Sequence, residues 1–262
     1  MGFKLAASNI GWTAAQDETV WQWMKDLGYS GLEIAPTRLF PDAPYECCNG
    51  AALFAGVMYQ RYGFSVVSMQ SIWYGRTGNI FVPEEAAELE EYSLAALEFA
   101  RSCRCENLVF GCPRNRNRPE GASEQAAEEF FRRLGPEAAR RGAVIALEPN
   151  PPIYNTNYLN TTRQALDLVK KLATPGLAVN LDVGAMIANG ERPSDYANEM
   201  KYVSHVHISE PGLAPIERRS LHKELALTLG AVGWKGWVSL EMKACDPDAL
   251  RRSLEYVAEV FA

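Results

Sequence analysis

Four short apolar runs in the second half of this chain each finish on, or beside, a residue able to donate an electron pair. "VIALE" ends at Glu148, "LAVNLD" at Asp182, "VSHVHIS" carries His207 and "WVSLE" ends at Glu241. Three carboxylates and one imidazole are donor types that suit a divalent cation such as manganese, magnesium or cobalt better than a thiolate-type zinc site. A carboxylate in such a set can also move a proton on a bound substrate. Taken singly, each residue has a plainer role. A carboxylate after a strand is often a helix N-cap, and a core histidine is more often hydrogen-bonded than ligating. Together they need a joint account, because clustered carboxylates repel unless they find a proton or a cation.

Whether the four meet depends on the elements that carry them. Strand side chains alternate between faces. Val144, Ala146 and Glu148 therefore share one face, as do Ala178, Asn180 and Asp182; His205, His207 and Ser209; and Trp237, Ser239 and Glu241. The bulkier aliphatics fall on the opposite parity, suited to packing beneath helices. Glu33, in "GLEIAP", points the same way as the acids and reads as a satisfied interior carboxylate, with substrate contact as its second reading.

The same strand-like texture recurs from end to end, at 4–9, 31–36, 64–71, 107–112, 143–149, 177–182, 203–209 and 237–242. Helical patterns lie between. "DETVWQWMKDLG" stops at Gly28, and "PEEAAELEEYSLAALEFARS" opens with Pro83 and two acids. "TTRQALDLVKKL" opens with a capping box from Thr161 to Gln164, and Asp246 precedes Pro247 as an N-cap. No Gly-rich phosphate loop follows the first strand, as a doubly wound sheet would require. The pattern predicts an α/β chain folded as a single (β/α)8 TIM barrel over residues 1–262. Barrel active sites lie at the C-terminal strand ends, where Glu148, Asp182, His207 and Glu241 sit.

Composition limits the function classes. At 262 residues, with 47% hydrophobic and 22% charged residues, the chain has ample core for a soluble protein. The formal charge of −6 argues against a broad nucleic-acid surface, and no apolar run is long enough for a membrane span. The six cysteines form neither a zinc pattern nor a disulfide framework, and no signal peptide is evident, so a cytoplasmic location is the default expectation.

The segments "LEPNPPIYNTNYLNT", "NLDVG", "HVHISEPG" and "VSLEMK" resemble the xylose-isomerase-like barrel superfamily, and within it the ketose 3-epimerase and hydroxypyruvate-isomerase-like branch. The resemblance implies one divalent metal, manganese first and magnesium, cobalt or zinc after it, held by Glu148, Asp182, His207 and Glu241. It implies that Glu148 and Glu241 are also the acid–base pair, on opposite faces of an open-chain ketose or ketose phosphate, working through a metal-stabilised enediolate. It implies a small-molecule sugar partner and assembly as a homodimer or homotetramer. Three positions depart from the pattern. Ala185 replaces a histidine common after the strand-six aspartate, Tyr154 a glutamate, and Leu213 an arginine.

Further candidates surround this set. The resemblance places Glu210 against substrate, although an exposed loop acid is its plain alternative. Trp12, Trp73 and Tyr74 could line a sugar's apolar face, or pack the rim. Asn150 could bond hydroxyls, or serve turn chemistry, and Tyr154 joins the substrate-binding set from the same loop. Arg114, Arg116 and Arg118 in "GCPRNRNRPEG", and Arg218 and Arg219, could grip a phosphate or carboxylate. A metal-dependent dehydratase of a cyclic polyol ketone and a non-catalytic sugar-binding barrel are the alternative functions. An apurinic-site endonuclease would need more histidines than the three present.

Overall fold

The computed structural model describes residues 2–262. Eight parallel strands close into a barrel in sequence order: β1 (Lys4–Ser8), β2 (Gly31–Ile34), β3 (Ser65–Met69), β4 (Asn107–Phe110), β5 (Val144–Leu147), β6 (Leu177–Asp182), β7 (Val203–Ile208) and β8 (Trp237–Leu240). The barrel is shut by β1 pairing with β8, Ala6 opposite Ser239. The helices are α1 (Asp17–Asp26), α2 (Pro36–Leu39), α3 (Cys48–Tyr62), α4 (Pro83–Ser102), α5 (Glu124–Arg140), α6 (Thr162–Leu172), α7 (Val183–Asn189), α8 (Ser220–Ala231) and α9 (Pro247–Phe261). The expected (β/α)8 TIM barrel is the fold.

The helix ends follow the local chemistry. Pro83 begins α4, and the capping box of Thr161 with Gln164 begins α6. Asp246 caps α9 by accepting from the amides of Asp248 and Ala249. Ser123 caps α5 by accepting from the Gln125 amide, whereas α3 lacks so plain a signal. No side-chain cap opens α3, and Pro136 lies inside α5.

Most strands stop one or two residues before their expected ends. The ladder nevertheless continues through single backbone bonds: Glu148 donates its amide to Phe110 O at 3.1 Å, and Glu241 to Ile208 O at 2.9 Å. Each acid therefore leaves its strand still pinned to a neighbouring strand. Register does the rest, since Asp182 pairs with His207.

The parity reading holds on both sides of the sheet. Ile145, Leu147, Val179, Leu181, Val206, Ile208, Val238 and Leu240 are buried in the layer under the helices. Inside the barrel, Glu33, Asn180, His205, His207 and Ser239 are buried where branched aliphatics are the rule. Burying an ionised group costs several kcal/mol unless it is paired, so this polar interior must be organised. All six cysteines are free thiols, and no helix of the described residues is long and apolar enough to cross a membrane.

Candidate metal centre

Glu148, Asp182, His207 and Glu241 come together at the C-terminal mouth of the barrel, with one potential ligand atom from each lying within 4.8 Å of the others. His207 Nδ1 is the hub. It lies 3.0 Å from Glu148 Oε1, 3.2 Å from Glu241 Oε2 and 3.9 Å from Asp182 Oδ2. All four side chains are at least nine-tenths buried or nearly so, as a preformed ligand set requires.

Neighbours aim the potential ligand atoms of Glu148, Asp182 and His207. The Asn180 amide donates to Glu148 Oε1 at 2.7 Å, and its nitrogen is 3.0 Å from His207 Nδ1. Asn150 donates to Glu148 Oε2 at 3.2 Å, and Arg116 donates to the Glu148 carbonyl at 2.8 Å. Asp182 divides its two oxygens. Oδ1 accepts from the Ala185 amide at 2.6 Å and so caps α7, whereas Oδ2 accepts from Ser209 Oγ at 2.6 Å on the cluster side. One oxygen of Asp182 thus serves as an N-cap while the other stays turned towards the cluster. On the far side of the imidazole, His207 Nε2 meets Glu33 Oε2 at 2.9 Å. His205 Nε2 is also 2.9 Å from that oxygen, but out of line for a hydrogen bond.

The electrostatics fit a cation. Burial, together with the charges of Glu148 and Glu241, holds the Asp182 carboxyl up at about 8. Burial likewise raises Glu241, against the opposing pull of His207. Burial alone would lower His207, but Glu241, Glu33 and Glu148 outweigh it and hold the imidazole well above its ordinary value. Glu33 shows the converse, since His207 and His205 outweigh its burial and hold it well below the usual carboxylate range. A dication at the centre of the four would offset the charges of Glu148, Asp182 and Glu241, and would compete with the proton for Nδ1 and the Asp182 oxygen.

Glu148, Asp182 and Glu241 line a cavity of about 190 Å³, whose other walls include Gln70, Ser71, Cys112, Asn150, Tyr154 and Leu213. Gly111 is part of the same wall. A Cβ there would stand 2.7 Å from Glu148 Oε2, so the glycine leaves the room in which that carboxylate turns. The Tyr154 hydroxyl accepts from the Gly212 amide at 3.0 Å, and burial pushes its pKa up to about 12. Tyr154 and Leu213, two of the three departures noted in the sequence, thus sit side by side above the acids.

The other candidates are distributed less evenly. Asn150 and Tyr154 line the cavity. Glu210 is buried but engaged by Nε and Nη2 of Arg219, each at 2.7 Å. Trp12 is buried with its Nε1 donating to Asp17 at 2.7 Å, and it lies away from the cavity walls. Trp73 and Arg114 line a second, adjoining cavity with Tyr74. Arg116, expected from sequence to be able to grip a phosphate or carboxylate, is instead completely buried, its guanidinium resting against Phe110 and the Glu148 backbone. Arg118 and Arg218 are tied to Glu124 and Glu259. Gln70, Ser71 and Cys112 were not evident from sequence, although each lies at or just past the end of an expected strand.

Comparisons place this fold among known barrels. The 3-keto-D-glucoside 4-epimerase of E. coli superposes with a TM-score of 0.78 at 19% identity, over 98% of this chain and 99% of that one. D-psicose 3-epimerase of Clostridium cellulolyticum H10 gives 0.80 at 16% identity, over 99% of each chain. An AP endonuclease family 2 protein of Brucella melitensis gives 0.74 at 21% identity, over 99% of this chain and 100% of that one. At these identities the likeness is one of fold. No curated protein matches the sequence. The family model for the xylose isomerase-like TIM barrel matches residues 21–260, and the chain belongs to that family.

Proposed function

We propose that this chain is a sugar epimerase or isomerase that depends on a divalent metal, working as one barrel domain. The observation that carries the reading is the convergence of Glu148, Asp182, His207 and Glu241 on one point, with the three carboxylates lining a small cavity. Glu148, Asp182, His207 and Glu241 are the proposed metal ligands. Three oxygens and one nitrogen suit manganese first, with magnesium, cobalt and zinc as the other candidates. When bound, the ion supplies Lewis-acid stabilisation of negative charge on the substrate's carbonyl oxygen.

The remaining chemistry belongs to the side chains. Glu148 and Glu241 enter from strands on either side of the β6–β7 pair, so each is placed to address a substrate seated between them. One carboxylate removes the proton from the carbon beside the carbonyl. The other returns a proton from the opposite face, which inverts that centre. Return to the neighbouring carbon would instead move the carbonyl. Asn150 and Asn180 hold Glu148 by both oxygens, so its reach is set before substrate arrives. Tyr154 and Leu213 close the wall above, and would bear on the sugar's middle carbons.

The structural likeness to proteins described as a 3-keto-D-glucoside 4-epimerase and a D-psicose 3-epimerase supports a sugar substrate. Product analysis by NMR tests the reaction class. Metal-loaded protein given ketoses and keto-glycosides is expected to yield an epimer or isomer of unchanged mass. A product lighter by one water would replace this reading with a dehydratase, and binding without any product would leave a sugar-binding barrel.

A further inference from the structure

Beside the acidic cavity lies a larger one of about 680 Å³, within the range of small-molecule sites. The two share a wall made of Ser71, Cys112 and Pro113. Their charges are opposite. The small cavity contains Glu148, Asp182 and Glu241 and no cationic side chain. The large one contains Arg76 and Arg114 and no acid, with Trp73, Tyr74, Thr77 and Asn115 among its other walls.

The two arginines are unlike most others in the chain. Arg38, Arg118, Arg163, Arg218 and Arg219, for example, are each committed to a carboxylate. Among the described residues, Arg76 and Arg114 form no ion pair, although the chain carries more acids than bases. Arg76 is nevertheless held in place, its guanidinium stacked 4.4 Å from the centre of the Tyr92 ring. A stacked guanidinium keeps its edge N–H groups free for an oxyanion.

The loops that carry the arginines are braced against each other. The Asn115 side chain donates to Gly78 O at 2.9 Å and to Arg76 O at 3.3 Å, while Ile80 donates its amide to Asn115 O at 2.9 Å. At the shared wall, Ser71 and Cys112 both adopt left-handed backbone conformations, φ 54° and 41°. Such strain in non-glycine residues is kept where the surrounding structure demands a particular turn. Here the two turns form the sill between the cavities.

We infer that the basic cavity is a second substrate subsite, which receives an oxyanionic group carried by the sugar at a distance from its reacting carbonyl. The polyhydroxy carbonyl end occupies the acidic cavity, the chain crosses the sill at Ser71 and Cys112, and a phosphate or carboxylate lies between Arg76 and Arg114. The inference deepens the proposed function and rests on it for the carbonyl end, but its test reads binding, with turnover of the same ligands scored separately.

The test is calorimetric titration of manganese-loaded protein with three matched ligands: a free ketohexose, its terminal phosphate ester and the corresponding keto-uronate. Wild type, Arg76→Ala/Arg114→Ala and Arg76→Lys/Arg114→Lys are compared. The wild type is expected to bind at least one of the two anionic forms about tenfold or more tightly than the free sugar. A tighter phosphate ester or a tighter keto-uronate identifies the source of the oxyanion. The preference should collapse towards unity in the double alanine variant and survive in part with lysines. Equal affinity for all three ligands in the wild type would overturn the inference, as would a preference that persists without the arginines. Absence of turnover with every ligand would count against the epimerase reading and leave the binding preference standing.

Discussion

His207 Nε2 lies 2.9 Å from Glu33 Oε2, so a carboxylate on β2 fixes which ring nitrogen of a histidine on β7 faces the acid cluster. With Nε2–H donated to Glu33, the Nδ1 lone pair is turned towards Glu148 and Glu241. A carboxylate behind a ligating imidazole orients the ring and raises its basicity. Glu33→Ala is therefore expected to weaken manganese binding by about 10–100-fold. Calorimetric titration of the apo protein checks this, and an unchanged affinity would show that packing alone holds the ring. Glu33→Gln, which can still accept from Nε2, should retain more of the affinity.

The proposed acid–base roles make a sharper demand. Glu148→Gln and Glu241→Gln are each expected to lower proton exchange by about 10²–10⁴-fold. Manganese content is measured alongside, because both residues are also proposed ligands. A variant that keeps its metal and near-normal exchange would remove that residue from the reaction.

Asp182 gives a pH prediction with a definite sign. Its folded pKa, about 8, lies above the ordinary 3.8, so the folded apo protein holds this proton more tightly than the unfolded chain does. That difference costs no stability below the ordinary value. The cost grows as pH rises from there to about 8 and is constant above. Asp182→Asn should therefore raise the apo melting temperature at pH 8 more than at pH 4, where roughly 2–4 °C corresponds to 1 kcal/mol in chains of this size. Manganese binding to the wild type should release protons and weaken as pH falls below about 8. Equal melting shifts at the two pH values would contradict the raised pKa.

Gly111 supplies a steric test. A methyl group there would come within 2.7 Å of Glu148 Oε2. Gly111→Ala is expected to displace that carboxylate, lowering metal affinity and exchange while leaving the circular dichroism of the barrel intact. Unaltered affinity would mean that Glu148 moves aside without leaving the site.

Much of this was legible in the sequence because strands impose a strict two-residue alternation. Parity alone placed Glu148, Asp182, His207 and Glu241 on one side of the sheet, and the order of strands brought them together. The expected strand ends ran long at Glu148 and Glu241 because single backbone bonds carry the ladder past the regular strand. What parity could not supply was partnership across the barrel. Glu33 reads as an interior carboxylate from β2, but its bond to His207 spans 174 residues. Glu210 is neutralised by Arg219 from the same long loop, and no spacing rule announces that pair. Ser71 and Cys112 hid for a different reason, since left-handed turns are foreseen from glycine or asparagine and neither residue is one. Arg114 and Arg116 are two residues apart with opposite fates, one exposed and one fully buried, because a tight 3-10 turn at Pro113–Arg116 faces them in different directions.

The central claim is that this centre moves a proton at the carbon beside a sugar carbonyl. Its most direct test is NMR of free and phosphorylated ketoses incubated in heavy water with metal-stripped protein, before and after resupply of manganese. The account predicts deuterium entering at a single carbon next to the carbonyl, only when manganese is present. No incorporation from any ketose, with the metal shown to be bound, would contradict it.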